Sequence, residues 1–275
     1  MPCQGCRSAC EFRMDTLLGL FPSSSPKAPS KKIDYKRKQG KAIGARFLHE
    51  CALKLDAKVT VVATASVVYH RFFREVNEAD YDIYLIAGSC LYLAGKLEDQ
   101  ALKARDVINV THVTLRPGGR PLDMDESYWN LRDSLIQAEL LVLRMLRFST
   151  EFEHPHKYLL HFLASLEDWL GAELFRQVPL RRTAWALLRD LYMDDFVLDS
   201  KPQWLALACI HIALQCYGLN VPGSVEGGKT WYQTLCPSCT REELWDVTEK
   251  VLDVYGQEEQ LFSSPTGAVS SAVFS

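Results

Sequence analysis

Apolar residues recur along most of this chain at the three- and four-residue spacing of helices that bury one face. Near the start of this pattern, Ile43, Phe47, Cys51 and Leu55 stand four residues apart, which predicts a first helix. Residues 59–73 are apolar or small nearly all round, and their valines alone would fit a buried strand. Fifteen residues without Gly or Pro exceed a typical strand, so we predict a central helix in an all-α protein.

Three more helical segments are predicted before residue 150. Asp80 and Asp82 are suitable N-terminal caps for a third helix. A short helical turn is expected at 104–108, and the turn-rich string RPGGRPLD separates it from a long helix at 126–147. We expect the buried anchors of this long helix to be Leu131, Leu135, Leu143 and Leu146.

The same helical pattern occurs twice. AGSCLYLA at 87–94 and ALACIHIA at 206–213 share Ala, Cys and Ala positions, and the same offset superposes Thr64-Ala65 on Thr183-Ala184. The chain is therefore predicted to contain a duplicated helical unit. Its second copy follows Pro155 and ends with a helix at 242–255.

These patterns divide the chain into four segments. A Ser/Pro stretch and a basic run indicate a disordered tail over 1–38, and the Ser-rich end indicates another over 258–275. The two helical domains are expected at 39–149 and 150–257. The basic run fits a nuclear import signal or a solvated tail, and it consists of Lys27, Lys31, Lys32, Lys36, Arg37, Lys38 and Lys41.

Charge and composition restrict the function. The net charge is -3, which argues against a protein whose main task is to neutralise nucleic-acid phosphates. No stretch has the length and apolarity of a membrane span or a signal peptide, so we expect a soluble intracellular protein, nuclear or cytoplasmic. HExxH and GxSxG motifs are absent from the sequence. We expect a protein surface as partner, no catalytic residues and no cofactor.

Cysteine and histidine do not combine into a convincing metal site. Cys51, Cys90, Cys209 and Cys216 lie in apolar helical patterns and are expected to be reduced core residues. Two CxxC pairs, at 3/6 and 236/239, have zinc-ligand spacing but stand at opposite ends of the chain, so we favour no metal. His154, His156 and His161 are expected to cap a helix or face solvent rather than bind metal.

Two charged residues interrupt apolar helical patterns. Glu139 lies four residues after Leu135 and four before Leu143, so it is either paired or exposed at the edge of the stripe. Lys96 ends the third helix, where it can reach solvent or favour the helix dipole. A lysine and a glutamate on packed helices can also form a pair that presents a donor and an acceptor to another protein.

Three strings together resemble the cyclin box, and the likeness is greatest to cyclins near the transcription-kinase group. They are GARFLHECALKLDAKVTVVATASVVYHRFF, YLIAGSCLYLAGKLED and LIQAELLVLRMLRF, and a weaker likeness extends over about residues 40–255. The resemblance implies two tandem five-helix domains, the first of which holds the regulatory helix of a cyclin-dependent kinase. It implies that Lys96 and Glu139 hold that helix and its neighbouring loop. Apolar contacts are implied at Leu93, Leu97, Leu143 and Phe148.

The resemblance also implies a partner and leaves alternatives. The expected partner is cyclin-dependent kinase ten, bound as a heterodimer, and the chain itself would not be an enzyme. The first helix lacks the Met-Arg-x-x-Leu element by which cell-cycle cyclins capture substrates, so substrate docking there is not expected. A scaffold that keeps the fold without activating a kinase is one alternative. The other is a DNA-binding general transcription factor of the same fold, which would require a basic face and a complete zinc ribbon.

Overall fold

The structure is a computed structural model that describes Ile33, Tyr35 and residues 40–116, 118–221 and 230–263, with side chains as far as 257. Most of the predicted N-terminal tail, most of the basic run, the first CxxC pair and residues 264–275 of the predicted C-terminal tail lie outside this range. Residues 258–263 are helical, so the tail predicted from residue 258 starts too early. Tyr35, which falls in the predicted N-terminal tail, is buried. The described residues form eleven α-helices: α1 Lys41–Lys54, α2 Val59–Glu75, α3 Ile83–Leu97, α4 Ala104–Leu115, α5 Glu126–Met145, α6 His156–Leu170, α7 Ala172–Gln177, α8 Leu180–Asp190, α9 Pro202–Cys216, α10 Trp231–Leu235 and α11 Arg241–Ser263.

The first five helices pack around α3. This helix contacts α1, α2, α4 and α5, and its own sequence is apolar or small on nearly every side. Asp82 caps its N-terminus, because its carboxylate accepts from the backbone N–H groups of Tyr84 and Leu85. Phe47 of α1 and Phe72 of α2 are fully buried in the same core.

The second group repeats this plan around α9. This helix contacts α6, α8 and α11, and short α10 adds Tyr232 to the same core. The repeated octapeptides occupy the two central helices, where Cys90 and Cys209 are fully buried. Thr64 on α2 and Thr183 on α8 are also buried at matching positions. The predicted all-α fold with two five-helix units is confirmed, and α7 is a short addition to the second.

Helix α2 lies between the two cores. Its Ala65 and Val68 pack in the first core, whereas Ala63 and Val67 belong to the core of the second group. This position explains why residues 59–73 are apolar or small nearly all round, because both faces of the helix are covered. The prediction that residues 59–73 form a helix rather than a strand is confirmed.

Two helical predictions need correction. Helix α4 continues to Leu115 and is longer than the short turn expected at 104–108, because Val107 and Ile108 bury one side of it against α5. In α5 the buried face is centred on Tyr128, Leu135 and Val142, each seven residues apart. Leu131 lies at the edge of this face and is exposed, so the prediction that it is a buried anchor was wrong.

Two of the three clustered histidines lie in the junction between the helical groups, not in solvent. The Nε2 atom of His154 is 2.9 Å from the Thr64 hydroxyl oxygen, and its Nδ1 atom is 2.8 Å from the Tyr192 hydroxyl oxygen. His156 is buried and stacks on the Tyr192 ring. The sequence expectation was wrong for both, because it could not foresee polar partners supplied by other helices. His161 is exposed, as expected.

The six cysteines in the described part of the chain are free thiols. Cys51, Cys90 and Cys209 are buried, as predicted, whereas Cys216, also predicted to be a core residue, is only partly buried. Within the described residues, no group of three or more His, Cys, Asp or Glu side chains is arranged to hold a metal ion. The same part of the chain contains no helix that is both long and apolar enough to cross a membrane.

Candidate protein-binding site

Lys96 is held at the C-terminal turn of α3 by close packing of the preceding residue. A Cβ atom on Gly95 would lie 2.8 Å from the carbonyl oxygen of Gln100 and 2.9 Å from Cγ of Leu102. Only glycine fits there without movement, so the chain after α3 lies directly against the helix. The Lys96 Nζ atom lies 4.1 Å from the centroid of the Tyr92 ring, one turn earlier, in a cation–π contact.

Glu139 projects from the edge of the buried face of α5 and meets this lysine. The Lys96 Nζ atom donates to both carboxylate oxygens, at 2.6 Å to Oε1 and 2.8 Å to Oε2. The glutamate side chain is only 11% exposed. A carboxylate buried to this degree without a partner would be costly, and the ammonium group offsets that cost. Of the two possibilities left open by the sequence, the paired glutamate is the one observed.

The pair is fixed but still accessible from outside. The lysine side chain is 47% exposed, so its ammonium group faces solvent on one side. An ammonium has three donors, and a carboxylate accepts more than one hydrogen bond per oxygen. The pair can therefore still donate to, and accept from, the main chain of another protein. Because α3 and α5 pack directly on each other, both groups are presented at a fixed separation.

The other predicted site residues divide into surface and core. Leu97 and Phe148 are exposed, and Leu143 is partly buried against the first core. Leu93 is only 3% exposed, so it supports the site from inside the core instead of lining it. Phe148 is 64% exposed, and its backbone is held in the left-handed region at φ 59° by a hydrogen bond from its N–H to the carbonyl of Leu143.

Sequence reasoning missed further exposed apolar residues on α5. Ile136 and Leu140 stand one turn apart beside Glu139, and each is about two-fifths exposed. Exposed apolar side chains grouped in this way are typical of protein-binding surfaces. Their spacing was visible in the sequence, but the prediction for this helix considered only the four leucines expected to be buried and gave Ile136 and Leu140 no role.

Comparison with known proteins agrees with this arrangement. Residues 22–151 match the family described as "Cyclin, N-terminal domain". This segment contains α1 to α5 and therefore both Lys96 and Glu139. Just under half of the chain therefore matches the N-terminal domain of cyclins.

Curated relatives cover most of the chain. It is 28% identical to Cyclin-L2 of Mus musculus over 223 residues and 28% identical to Cyclin-L1 of Homo sapiens over 221 residues. These matches cover 80% and 79% of the chain but only 41% and 40% of the relatives. The chain thus spans about two fifths of the length of the relatives it matches.

Solved structures share the fold. A chain of the yeast RNA Pol II CTD kinase CTDK-1 complex matches with a TM-score of 0.57 at 18% identity, over 86% of this chain and 75% of that one. A chain of the CAK complex from Chaetomium thermophilum, bound to ATP-gamma-S, matches with a TM-score of 0.57 at 17% identity, over 94% of this chain and 75% of that one. At these identities the likeness concerns the fold.

Proposed function

We propose that this chain is the regulatory subunit of a cyclin-dependent protein kinase, which it binds as a heterodimer and activates. The observation that carries the proposal is the Lys96–Glu139 pair, whose lysine is half exposed, together with the exposed apolar side chains Leu97, Leu140 and Phe148. A fixed donor and acceptor within an apolar surround have the features of a protein interface. The chain itself performs no chemistry.

Activation follows from unequal binding to two kinase conformations. A protein kinase is active when a lysine–glutamate ion pair joins its nucleotide site to its regulatory helix. If the surface around Lys96 and Glu139 binds the inward position of that helix more tightly than the outward one, the active arrangement becomes more populated. Moving the equilibrium from 1:99 to 99:1 requires a difference of about 5.5 kcal/mol. Several contacts must share this difference, because an ion pair with an exposed member supplies little alone.

Cyclin-dependent kinase ten is the proposed partner. The strings HPHKYLLHFL and TAWALLRDLY in the second helical group resemble cyclin Q, a cyclin-related protein, and this likeness suggests that kinase. The relatives named Cyclin-L1 and Cyclin-L2 and the neighbouring CTD kinase complex support a role near transcription, and hence in the nucleus. Regulation of phosphorylation linked to transcription or the cell cycle is the proposed cellular role.

Leu97, Leu143 and Phe148 form the proposed apolar part of the interface, together with Ile136 and Leu140. Leu93 is proposed to act through packing, because it holds the last turn of α3 in place. Burial of exposed apolar side chains on binding supplies much of the affinity of such surfaces, and a few central residues contribute most of it.

The test is co-expression of the chain with a panel of cyclin-dependent kinases, followed by recovery of complexes and assay of phosphate transfer. We expect a selective complex with cyclin-dependent kinase ten that is active and is weakened by Lys96→Ala and Glu139→Ala. Binding without a gain in kinase activity would favour the scaffold alternative. Failure to bind any kinase of the panel would contradict the proposal.

A further inference from the structure

The exposed apolar face of α5 continues well beyond the Lys96–Glu139 pair. Trp129, Ile136 and Leu140 follow each other at helical spacing of seven and four residues, so they share one side of the helix. Trp129 lies ten residues before Glu139, which corresponds to about 15 Å along the helix axis. Trp129 is 48% exposed, so about half of its surface is accessible to a partner.

Trp129 is held in a defined position although it is exposed. The buried Tyr128 ring lies edge-on to the indole, with 5.3 Å between the ring centroids. The guanidinium of Arg132 lies 5.5 Å from the indole centroid on the next turn. A tryptophan fixed between two neighbours loses little conformational freedom on binding, and Trp and Arg are the residues most enriched among strong interface contacts.

The positive charge of Arg132 indicates the chemistry of the partner surface that would contact Trp129. The only ion pair found for Arg132 among the described residues is a long contact of 3.6 Å to the exposed Asp133 carboxylate. A guanidinium can form two parallel hydrogen bonds with one carboxylate, which this contact does not provide. The occupant that fits therefore carries an apolar side chain for the indole and a nearby carboxylate for Arg132.

We infer that Trp129 and Arg132 form a second contact point for the kinase and help to select which kinase is bound. This inference rests on the proposed function, since it takes the kinase at the Lys96–Glu139 pair as the occupant and extends its contact along the same helix face. The carboxylate and apolar side chain would lie on the kinase surface next to the regulatory helix. Kinases that lack this carboxylate and this apolar side chain would contact Lys96 and Glu139 but not Trp129 and Arg132.

The two contact points differ in what they do to the kinase. The pair at Lys96 and Glu139 acts on the regulatory helix, so its contacts change with the position of that helix. A contact about 15 Å away that is made equally in both kinase conformations raises affinity without shifting their populations. Trp129 and Arg132 should therefore govern the choice and affinity of partner more than the activity of the bound kinase.

The experiment measures the dissociation constant and the phosphate-transfer rate at saturating chain for cyclin-dependent kinase ten. Trp129→Ala should raise the dissociation constant roughly tenfold or more. Trp129→Ala should lower the phosphate-transfer rate at saturating chain less than Lys96→Ala does. Arg132→Glu should also weaken binding, because it places a negative charge opposite the proposed carboxylate. Trp245→Ala on α11 is the matched control, since this tryptophan is 41% exposed, and it should bind as the unmodified chain does.

Three outcomes would overturn the inference. One is an unchanged dissociation constant for both Trp129→Ala and Arg132→Glu while Lys96→Ala still impairs the kinase, which leaves the proposed function intact. Another is an equal loss for Trp245→Ala, which would indicate a general effect on the fold. The third is a homodimer of the isolated chain that Trp129→Ala dissolves, measured by light scattering, because a second copy would then be the occupant. If no kinase binds the unmodified chain, the proposed function itself fails.

Discussion

The hydroxyl of Thr64 lies 2.9 Å from Nε2 of His154 and 2.7 Å from Oε1 of Glu98, so α2, the end of α3 and the chain before α6 meet at one polar point. The other ring nitrogen of His154 lies 2.8 Å from the hydroxyl of Tyr192. This short chain of contacts joins the two helical groups. His154 is partly buried there, and polar groups left without partners in a buried junction are costly.

Thr64→Val should therefore destabilise the protein. The change keeps the shape of the side chain but leaves His154 without one partner, so we expect a loss of about 1–3 kcal/mol in the free energy of unfolding. Urea denaturation followed by circular dichroism measures it. Thr234→Val is the control, because that hydroxyl donates within an exposed turn of α10, and it should change stability much less.

Stability should fall as the pH is lowered through the range of histidine. Burial lowers the pKa of His156 to about 4 and that of His211 to about 4, from an ordinary value of 6.5. The unfolded chain then binds more protons than the folded one below pH 6.5, so stability is complete above that pH and is lost as the pH falls toward 4. Urea titrations at successive pH values test this, and His156→Phe should reduce the slope whereas His161→Gln should not. A flat profile over this range would contradict the buried, neutral histidines.

Gly95→Ala should disturb the packing that positions Lys96. The added Cβ atom would lie 2.8 Å from the carbonyl oxygen of Gln100, so the chain after α3 must move. We expect a loss of more than about 1 kcal/mol in the free energy of unfolding and weaker kinase binding, since Lys96 is the next residue. Gly256→Ala on α11 is the matched control, because its Cβ atom meets nothing within 4 Å. That variant should be more stable by about 0.5–1 kcal/mol, and equal effects of the two changes would refute the packing argument.

The two members of the ion pair should respond unequally to substitution. Lys96→Met leaves a carboxylate that is only 11% exposed without its cation, whereas Glu139→Gln leaves a half-exposed ammonium that water can solvate. Thermal and urea unfolding should show the larger loss of stability for Lys96→Met. The exposed Lys250–Asp246 pair is the comparison, and removing its lysine should change stability by no more than about 0.5 kcal/mol. A larger loss for Glu139→Gln would contradict the observed burial.

Much of the fold was predictable because helices that pack in a core carry apolar residues at helical spacing. The all-round apolar stretch at 59–73 and the repeated octapeptides identified helices that are central in the structure, and Asp82 caps α3 as its position suggested. The periodicity did not show which other helix, if any, covers each helix face. Leu131 matches the spacing of Leu135 yet stays exposed, and His154 is drawn into the junction by partners on α2 and after α8.

The candidate site was predictable in part for the same reason. Glu139 stood out because a carboxylate on an apolar stripe needs a partner, and the structure supplies Lys96 from a segment 43 residues earlier. The cyclin resemblance named both residues, but it also named Leu93, whose side chain is buried. Ile136, Leu140 and Trp129 were missed, because single-sequence spacing does not tell an exposed apolar face from a buried one.

Activation of a bound kinase through the Lys96–Glu139 surface can be tested by one titration. The most direct measurement is the phosphate-transfer rate of cyclin-dependent kinase ten as the chain is titrated to saturation, with unmodified chain, Lys96→Ala and Glu139→Ala. We predict a large gain in rate with unmodified chain and a lower plateau, not only a shifted midpoint, with each variant. A plateau equal to that of the unmodified chain in both variants, or no gain over the kinase alone, would contradict activation through this surface.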